Sequence, residues 1–157
     1  MRRRFQPTGT PSTSRCAGRW ACLTARNWFE QRRRADQEPG FTLDARALEA
    51  AERLEKEDGL QVEVLDLRTL LPMDDEAIMA SVRKTNHVLI AHEDTRTGGV
   101  AGEITARIND QAFEWLDAPV RRVTAHDVPL PYAPTLEDFV LPQTDDLVVA
   151  ARWLAAY

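Results

Sequence analysis

Sulfur is scarce in this 157-residue chain: its two cysteines, Cys16 and Cys22, both fall in the first quarter. Nothing beyond them can form a disulfide framework or a thiolate metal site, and a reducing compartment is the simpler expectation. Long apolar runs are missing as well. There is no stretch of 18 apolar residues and no apolar segment directly after the basic start, which argues against a membrane span and a secretory signal. Serine is nearly absent from residues 41–157, where only Ser81 occurs, inside a helical pattern, so a serine or cysteine triad has no nucleophile there. Basic charge is short too. Residues 41–157 carry 11 basic against 22 acidic side chains, and phosphate neutralisation needs clustered Lys and Arg, so nucleic acid is not the expected partner.

Residues 1–40 have the opposite character, with nine arginines against three acids. They form an irregular, Arg-rich segment without a sustained period, expected to be disordered. WACLTA, Trp20 to Ala25, is the one patch able to make a short strand. Three readings stay open for this start: an organellar transit peptide as far as Arg26, a disordered tail, or a mis-called start. The expected location is the cytoplasm, or the mitochondrial matrix under the transit reading.

Residues 41–157 read as one regular domain, in a chain long enough to bury roughly 70% of its unfolded surface. LDARALEAAERLEKEDG spaces apolar residues 47, 48, 51 and 54 along a helix, with Asp44 as N-cap and Gly59 as stop. QVEVLDL, 61–67, is a strand expected to be covered on both sides. LLPMDDEAIMASVRKTN follows as a helix with an Asp74 N-cap and Ile78 and Val82 on one face. HVLIAH, 87–92, is a second buried strand. VAGEITARINDQAFEWL places Val100, Ile104 and Ile108 on one stripe, with Phe113 and Leu116 near its end. APVRRVTA, 118–125, is a third strand. The loop 127–143 holds four prolines and one short helical turn at 135–139, and the last helix has Thr144 as N-cap with Leu147, Val148, Ala151 and Leu154 on one face. Helices alternate with strands at crossover spacing. The expected fold is therefore α/β, a three-layer α/β/α sandwich on a mostly parallel sheet.

Candidate chemistry concentrates in HEDTRTGGVAGEI, His92 to Ile104. His87 and His92 are five apart on one strand and point to opposite faces, so they cannot share an ion. His92, Glu93 and His126 could meet at the carboxyl edge of the sheet, where open α/β sheets place ligands. The competing reading makes them strand-end residues that satisfy loop backbone, and two imidazoles favour that reading. Gly98 and Gly99 precede a helix start, which can hold an anion. Yet TRTGGVAGE matches neither GxGxxG nor GxxxxGK[ST] and has no lysine, so a tight strand-to-helix turn is preferred, with Gly102 for close packing and Glu93 and Asp94 as caps.

VEVLDLRTLLPMDDEAI, VLIAHEDTRTGGVAGEI, INDQAFEWLDAPVRRV and DVPLPYAPTLE, with a terminal Leu-Ala-Ala-Tyr, run in order along the chain. From about Ala47 to Tyr157 this string resembles the C-terminal, transketolase C-terminal-like domain of the beta subunit of thiamine-diphosphate-dependent 2-oxo acid dehydrogenases. It looks closest to branched-chain 2-oxo acid (2-oxoisovalerate) dehydrogenase, then to pyruvate and acetoin dehydrogenases. The resemblance implies a parent enzyme that uses thiamine diphosphate and magnesium, held between the alpha subunit and another domain of the beta subunit. No catalytic, cofactor-binding or metal residue is carried over to this chain. The implied role is assembly: contacts with the alpha subunit, with a second beta subunit and with the acyltransferase core. The matching positions are His92, Glu93, Gly98, Gly99 and Glu103 in the turn motif, which is also the candidate anion site. Pro129, Pro131, Tyr132 and Tyr157 are the interface and docking candidates. The family has a buried central strand just before the helix that starts near Asp44, between strands 61–67 and 87–92. RADQEPGFTLD stands there instead, so either Trp20 to Ala25 substitutes for that strand or the sheet is incomplete, and a truncated or frame-disturbed gene product is expected.

Overall fold

The computed structural model of the chain describes residues 19–25 and 43–157. The expectations for Cys16, the transit segment and RADQEPG lie outside the described residues. Four strands make one parallel sheet: β1 (Arg19–Ala25), β2 (Gln61–Leu67), β3 (Val88–Thr95) and β4 (Arg121–Ala125), in the order β2-β1-β3-β4. Arg19–Ala25 occupies the central slot. It pairs with β2 from Arg19↔Gln61 to Ala25↔Leu67 and with β3 from Ala21↔Val88 to Ala25↔His92.

Among the described residues there are five α-helices, α1 (Leu43–Asp58), α2 (Asp75–Thr85), α3 (Val100–Ala112), α4 (Pro134–Val140) and α5 (Thr144–Ala155); α1 and α5 cover one face of the sheet and α2 and α3 the other. Side chains alternate across β3, so Leu89 and Ala91 enter one core with α1 and α5, while Val88 and Ile90 enter the other with α2 and α3. The α/β/α sandwich follows from that alternation. On the first side Leu43, Ala47, Ala50 and Leu54 of α1 meet Leu147, Val148, Ala151 and Leu154 of α5. On the second, Ile78 and Val82 meet Ile104 and Ile108, all four with no exposed surface.

Local chemistry explains most helix ends, with several shifts from expectation. Asp74 caps α2 through the Ala77 N–H at 2.9 Å, and Asn86 closes it in the left-handed region at φ 61°. Gly59, at φ 68°, stops α1. Asp44 is not the cap of α1, because the helix already begins at Leu43. Nor is Thr144 the cap of α5: Gln143 takes that place in a reciprocal box with Asp146, and the Thr144 hydroxyl donates to Glu49 instead. Leu48 and Phe113, expected on apolar stripes, are exposed, since the stripe of α1 runs through Ala50 and that of α3 ends at Ala112. β2, an edge strand with one neighbour among the described residues, is only half-buried.

Polar ties hold the first helix layer together. The Arg46 guanidinium donates to the Pro142 carbonyl at 2.7 Å in a buried setting, and Arg53 meets Asp145 at 2.7 Å. Arg152 bridges Asp58 and Glu57. On the opposite face Ser81 and Lys84 of α2 both reach Glu63 of β2.

A central strand donates and accepts on both sides, whereas an edge strand tolerates proline at its first position. Cys22→Pro, mid-β1, should therefore lower the unfolding free energy by roughly 3 kcal/mol or more, while Gln61→Pro at the start of β2 costs much less. Urea denaturation followed by circular dichroism checks the contrast; equal effects would remove β1 from the sheet centre.

Candidate functional site

The sheet and α3 together build the turn at the carboxyl end of β3. β3 runs past His92 to Thr95, and its register against β4 breaks between His92 and Thr95, so the strand end bulges away from its neighbour. His92 has the same parity as Val88 and Ile90 and therefore lies on the α2 and α3 side, 2% exposed. Gly98 follows at φ 79°, a conformation that side chains other than glycine's rarely adopt. Gly99 then starts α3 in extended backbone at φ −72° and ψ 155°.

Gly99 is required by contact, not by backbone angle. A Cβ there would sit 2.2 Å from the Thr95 carbonyl oxygen and 3.1 Å from His92 Nδ1. The imidazole thus forms the floor beneath the helix start. Gly102 differs, since a Cβ would meet only the Arg122 guanidinium at an ordinary 3.6 Å, so close helix-sheet packing does not require glycine there. The Asp94 carboxylate is turned to its own strand end, where it accepts from the Thr95 N–H at 2.7 Å.

Instead the turn is clamped from the next strand. Asp127, just past β4, accepts from the Thr97 N–H at 2.9 Å and from the Thr97 hydroxyl at 2.7 Å, while Thr95 Oγ1 donates to the Thr97 carbonyl at 2.9 Å. The Thr97 backbone and hydroxyl donors hold the Asp127 carboxyl below its ordinary range. No local pattern announces this pair, whose members are 30 residues apart.

His92 Nδ1 is buried without a hydrogen-bond partner. Burial pushes the imidazole below its usual 6.5, and the Asp94 carboxylate only partly opposes this. A neutral, enclosed ring suits packing; it has no open side for a substrate.

The structure brings His92, Glu93, Gly98 and Gly99 together at the turn but separates the other candidates. Glu103 sits one helical turn on, where it pairs with Arg107 at 2.8 Å, and Arg107 reaches Asp75 of α2 at 2.9 Å. Its role there is to tie α3 to α2. His126 leaves the histidine pair to stack on Phe139 of α4 at 5.5 Å between centroids. Among the described residues no group of three or more His, Cys, Asp or Glu is placed to hold a metal ion. Pro129, Pro131 and Tyr132 lie in the loop between β4 and α4, with Tyr132 98% exposed. Tyr157 follows α5 and rests against Trp153 at 5.4 Å.

Two outcomes follow. Gly99→Ala should cost about 1–3 kcal/mol through the clash with the Thr95 carbonyl, whereas Gly102→Ala should be neutral or stabilise α3 by about 0.5–1 kcal/mol; paired urea midpoints read both. Because the folded state keeps His92 neutral, its contribution to stability is complete above 6.5 and falls as pH drops below that value toward the lowered folded value. His92→Gln should flatten that limb of the stability profile between pH 8 and 5. An unchanged slope would show that His92 protonates freely in the fold.

With the geometry in place, the relatives are informative. The family model "Transketolase, C-terminal domain" matches residues 44–147. The mitochondrial pyruvate dehydrogenase E1 component subunit beta of Saccharomyces cerevisiae is 47% identical over 107 residues, covering 68% of this chain and 29% of that protein. The mouse (Mus musculus) counterpart is 52% identical over 106 residues, covering 67% of this chain and 29% of its own length. The 2-oxoisovalerate dehydrogenase subunit beta of Bacillus subtilis is 45% identical over 112 residues, covering 71% and 34%. The chain thus spans about a third of the length of these relatives. A solved structure described as a split gene transketolase, inactive beta4 tetramer, superposes with a TM-score of 0.65 over 87% of this chain and 38% of that chain, at 24% identity, which speaks to fold alone. The match spans α1 to α4, the first turn of α5 and three of the four strands, the turn included, and the chain belongs to the transketolase C-terminal domain family.

Proposed function

We propose that this chain is an assembly domain of a 2-oxo acid dehydrogenase beta subunit and is not catalytic by itself. One observation carries the reading. The loop after β4 and the following α4 expose Val128, Leu130, Tyr132, Leu136 and Phe139 in succession, with Tyr132 98% and Phe139 74% exposed. So many large apolar side chains exposed within one segment are costly in water, which supports a protein interface there. Pro129, Pro131 and Tyr132 lie within it, and Tyr157 is exposed at the end of α5.

The proposed partners are the alpha subunit, a second beta subunit and the acyltransferase core. Thiamine diphosphate with magnesium would act in the parent enzyme. A diphosphate on Mg²⁺ needs carboxylate ligands and open space for its oxygens. Here the described residues form no such cluster, and the helix start at Gly99 is filled by His92 and the Thr95 carbonyl. The residues present do not fit the cofactor. That packing also disfavours the smaller role of an anion-binding regulatory domain.

We assign the parent's substrate to branched-chain 2-oxo acids on the ordered motifs of residues 61–157; pyruvate is the competing substrate, since relatives named for either lie at comparable identity. None of the helices among the described residues is long and apolar enough to cross a membrane. Cytoplasmic placement is the accompanying proposal, with the mitochondrial matrix the alternative if the Arg-rich start acts as a transit peptide. The folded unit is proposed to comprise residues 41–157 together with β1.

Calorimetry should show no saturable uptake of thiamine diphosphate and magnesium by the purified chain. Sedimentation with the alpha subunit and an intact beta subunit should show association that Tyr132→Ala and Phe139→Ala together weaken roughly tenfold or more. Saturable cofactor binding, or association indifferent to that double substitution, would sink the assembly reading.

A further inference from the structure

We propose that the outer edge of β4 binds an acidic, extended polypeptide segment as an added parallel or antiparallel strand. This goes beyond the assembly reading, which rests on the loop and α4. Among the described residues β4 ends the sheet and pairs only with β3. Among the described residues its outer edge from Arg121 to Ala125 receives no hydrogen bond; the next backbone bond, from His126 N–H to the Val140 carbonyl at 3.2 Å, closes the edge just beyond. A groove of about 560 Å³ runs along this edge, with Val123, Val149 and Trp153 on its apolar wall. Backbone donors and acceptors beside an apolar groove are what strand addition uses.

Charge selects the occupant. Arg121 and Arg122 are adjacent, so they flank the edge on opposite sides of the sheet. Arg121 lies over the Trp153 ring of α5 at 4.8 Å, and Arg122 reaches toward Gly102 of α3. Neither guanidinium has a carboxylate within ion-pair distance among the described residues. Of the groove's acids, Asp145 is paired with Arg53, while Asp146 and Asp127 accept from neutral donors, the Gln143 N–H and Thr97. At the Arg121–Arg122 edge itself the unpaired charge is positive, in a domain that carries twice as many acids as bases. An added strand with two successive acidic residues would present one to each arginine, because neighbouring side chains point to opposite faces. A second copy of this chain is the wrong occupant, since it would bring the same cationic edge to the groove. Nucleic acid is disfavoured by the 22 acids of residues 41–157.

The probe is a short dye-labelled peptide with adjacent glutamates in a Val/Thr background, titrated into the full chain by fluorescence anisotropy. Saturable binding is expected, reduced at least about tenfold by R121E with R122E and largely restored by R121K with R122K. N-methylation of alternate peptide amides should also weaken it, because added strands bind through main-chain hydrogen bonds. In the unaltered chain, bound peptide should slow amide exchange at Arg121–Ala125. No saturable binding, equal binding of a lysine version, indifference to N-methylation, or no protection at those amides would each overturn the proposal.

Discussion

The seven-residue strand Arg19–Ala25 lies between β2 and β3, and the sheet depends on that pairing. Among the described residues β2 has no other neighbour, so without β1 these strands would divide into an isolated β2 and a β3–β4 pair. Each buried backbone group then exposed without a partner costs on the order of a hydrogen bond to desolvate. The strand lies outside the region that matches the family, residues 44–147, yet it takes the central position. Its last pair, Ala25↔His92, places its end beside the histidine that floors the turn.

From that point the turn is organised by exclusion. His92 fills the space beneath Gly99, the Thr95 carbonyl closes it from the side, and Asp127 fastens Thr97 from the neighbouring strand. A phosphate loop leaves its first helical N–H groups open around a void; this turn uses the same glycine-helix order to pack tightly. The resemblance to a site is therefore one of chain path. What the path accomplishes is to lock β3, α3 and β4 into one rigid corner.

The two ends of the sheet show the same division between sealed and open surface. Over α1 and α5, Arg46, Arg53 and Arg152 stitch the helices together through long-range contacts that no helical repeat encodes. Such exposed pairs add little stability singly, but Arg46 is buried and satisfies a carbonyl that the Pro142 bend leaves free. Beyond them the loop after β4 and α4 stay apolar and uncovered, and the β4 edge stays cationic.

Periodicity was the most legible signal. The stripes through Ile78 and Val82, Ile104 and Ile108, and Leu147, Val148, Ala151 and Leu154 are the observed cores, because a residue's face on a helix follows from its spacing alone. The Asp74 cap and the Gly59 stop were legible for the same local reason. Leu48 and Phe113 misled, since an apolar residue at the margin of a stripe is buried only if a neighbour reaches it. At the turn the motif announced two glycines, but the reason for the second lay in the position of the Thr95 carbonyl and the His92 ring. By itself the sequence determined the alternation of elements, and hence the layered α/β class, through local periodicity and caps. Only the tertiary structure decided that Arg19–Ala25 fills the centre, that Asp127 clamps Thr97, and that Arg121 and Arg122 flank a free edge, because each depends on contacts between residues distant in the chain.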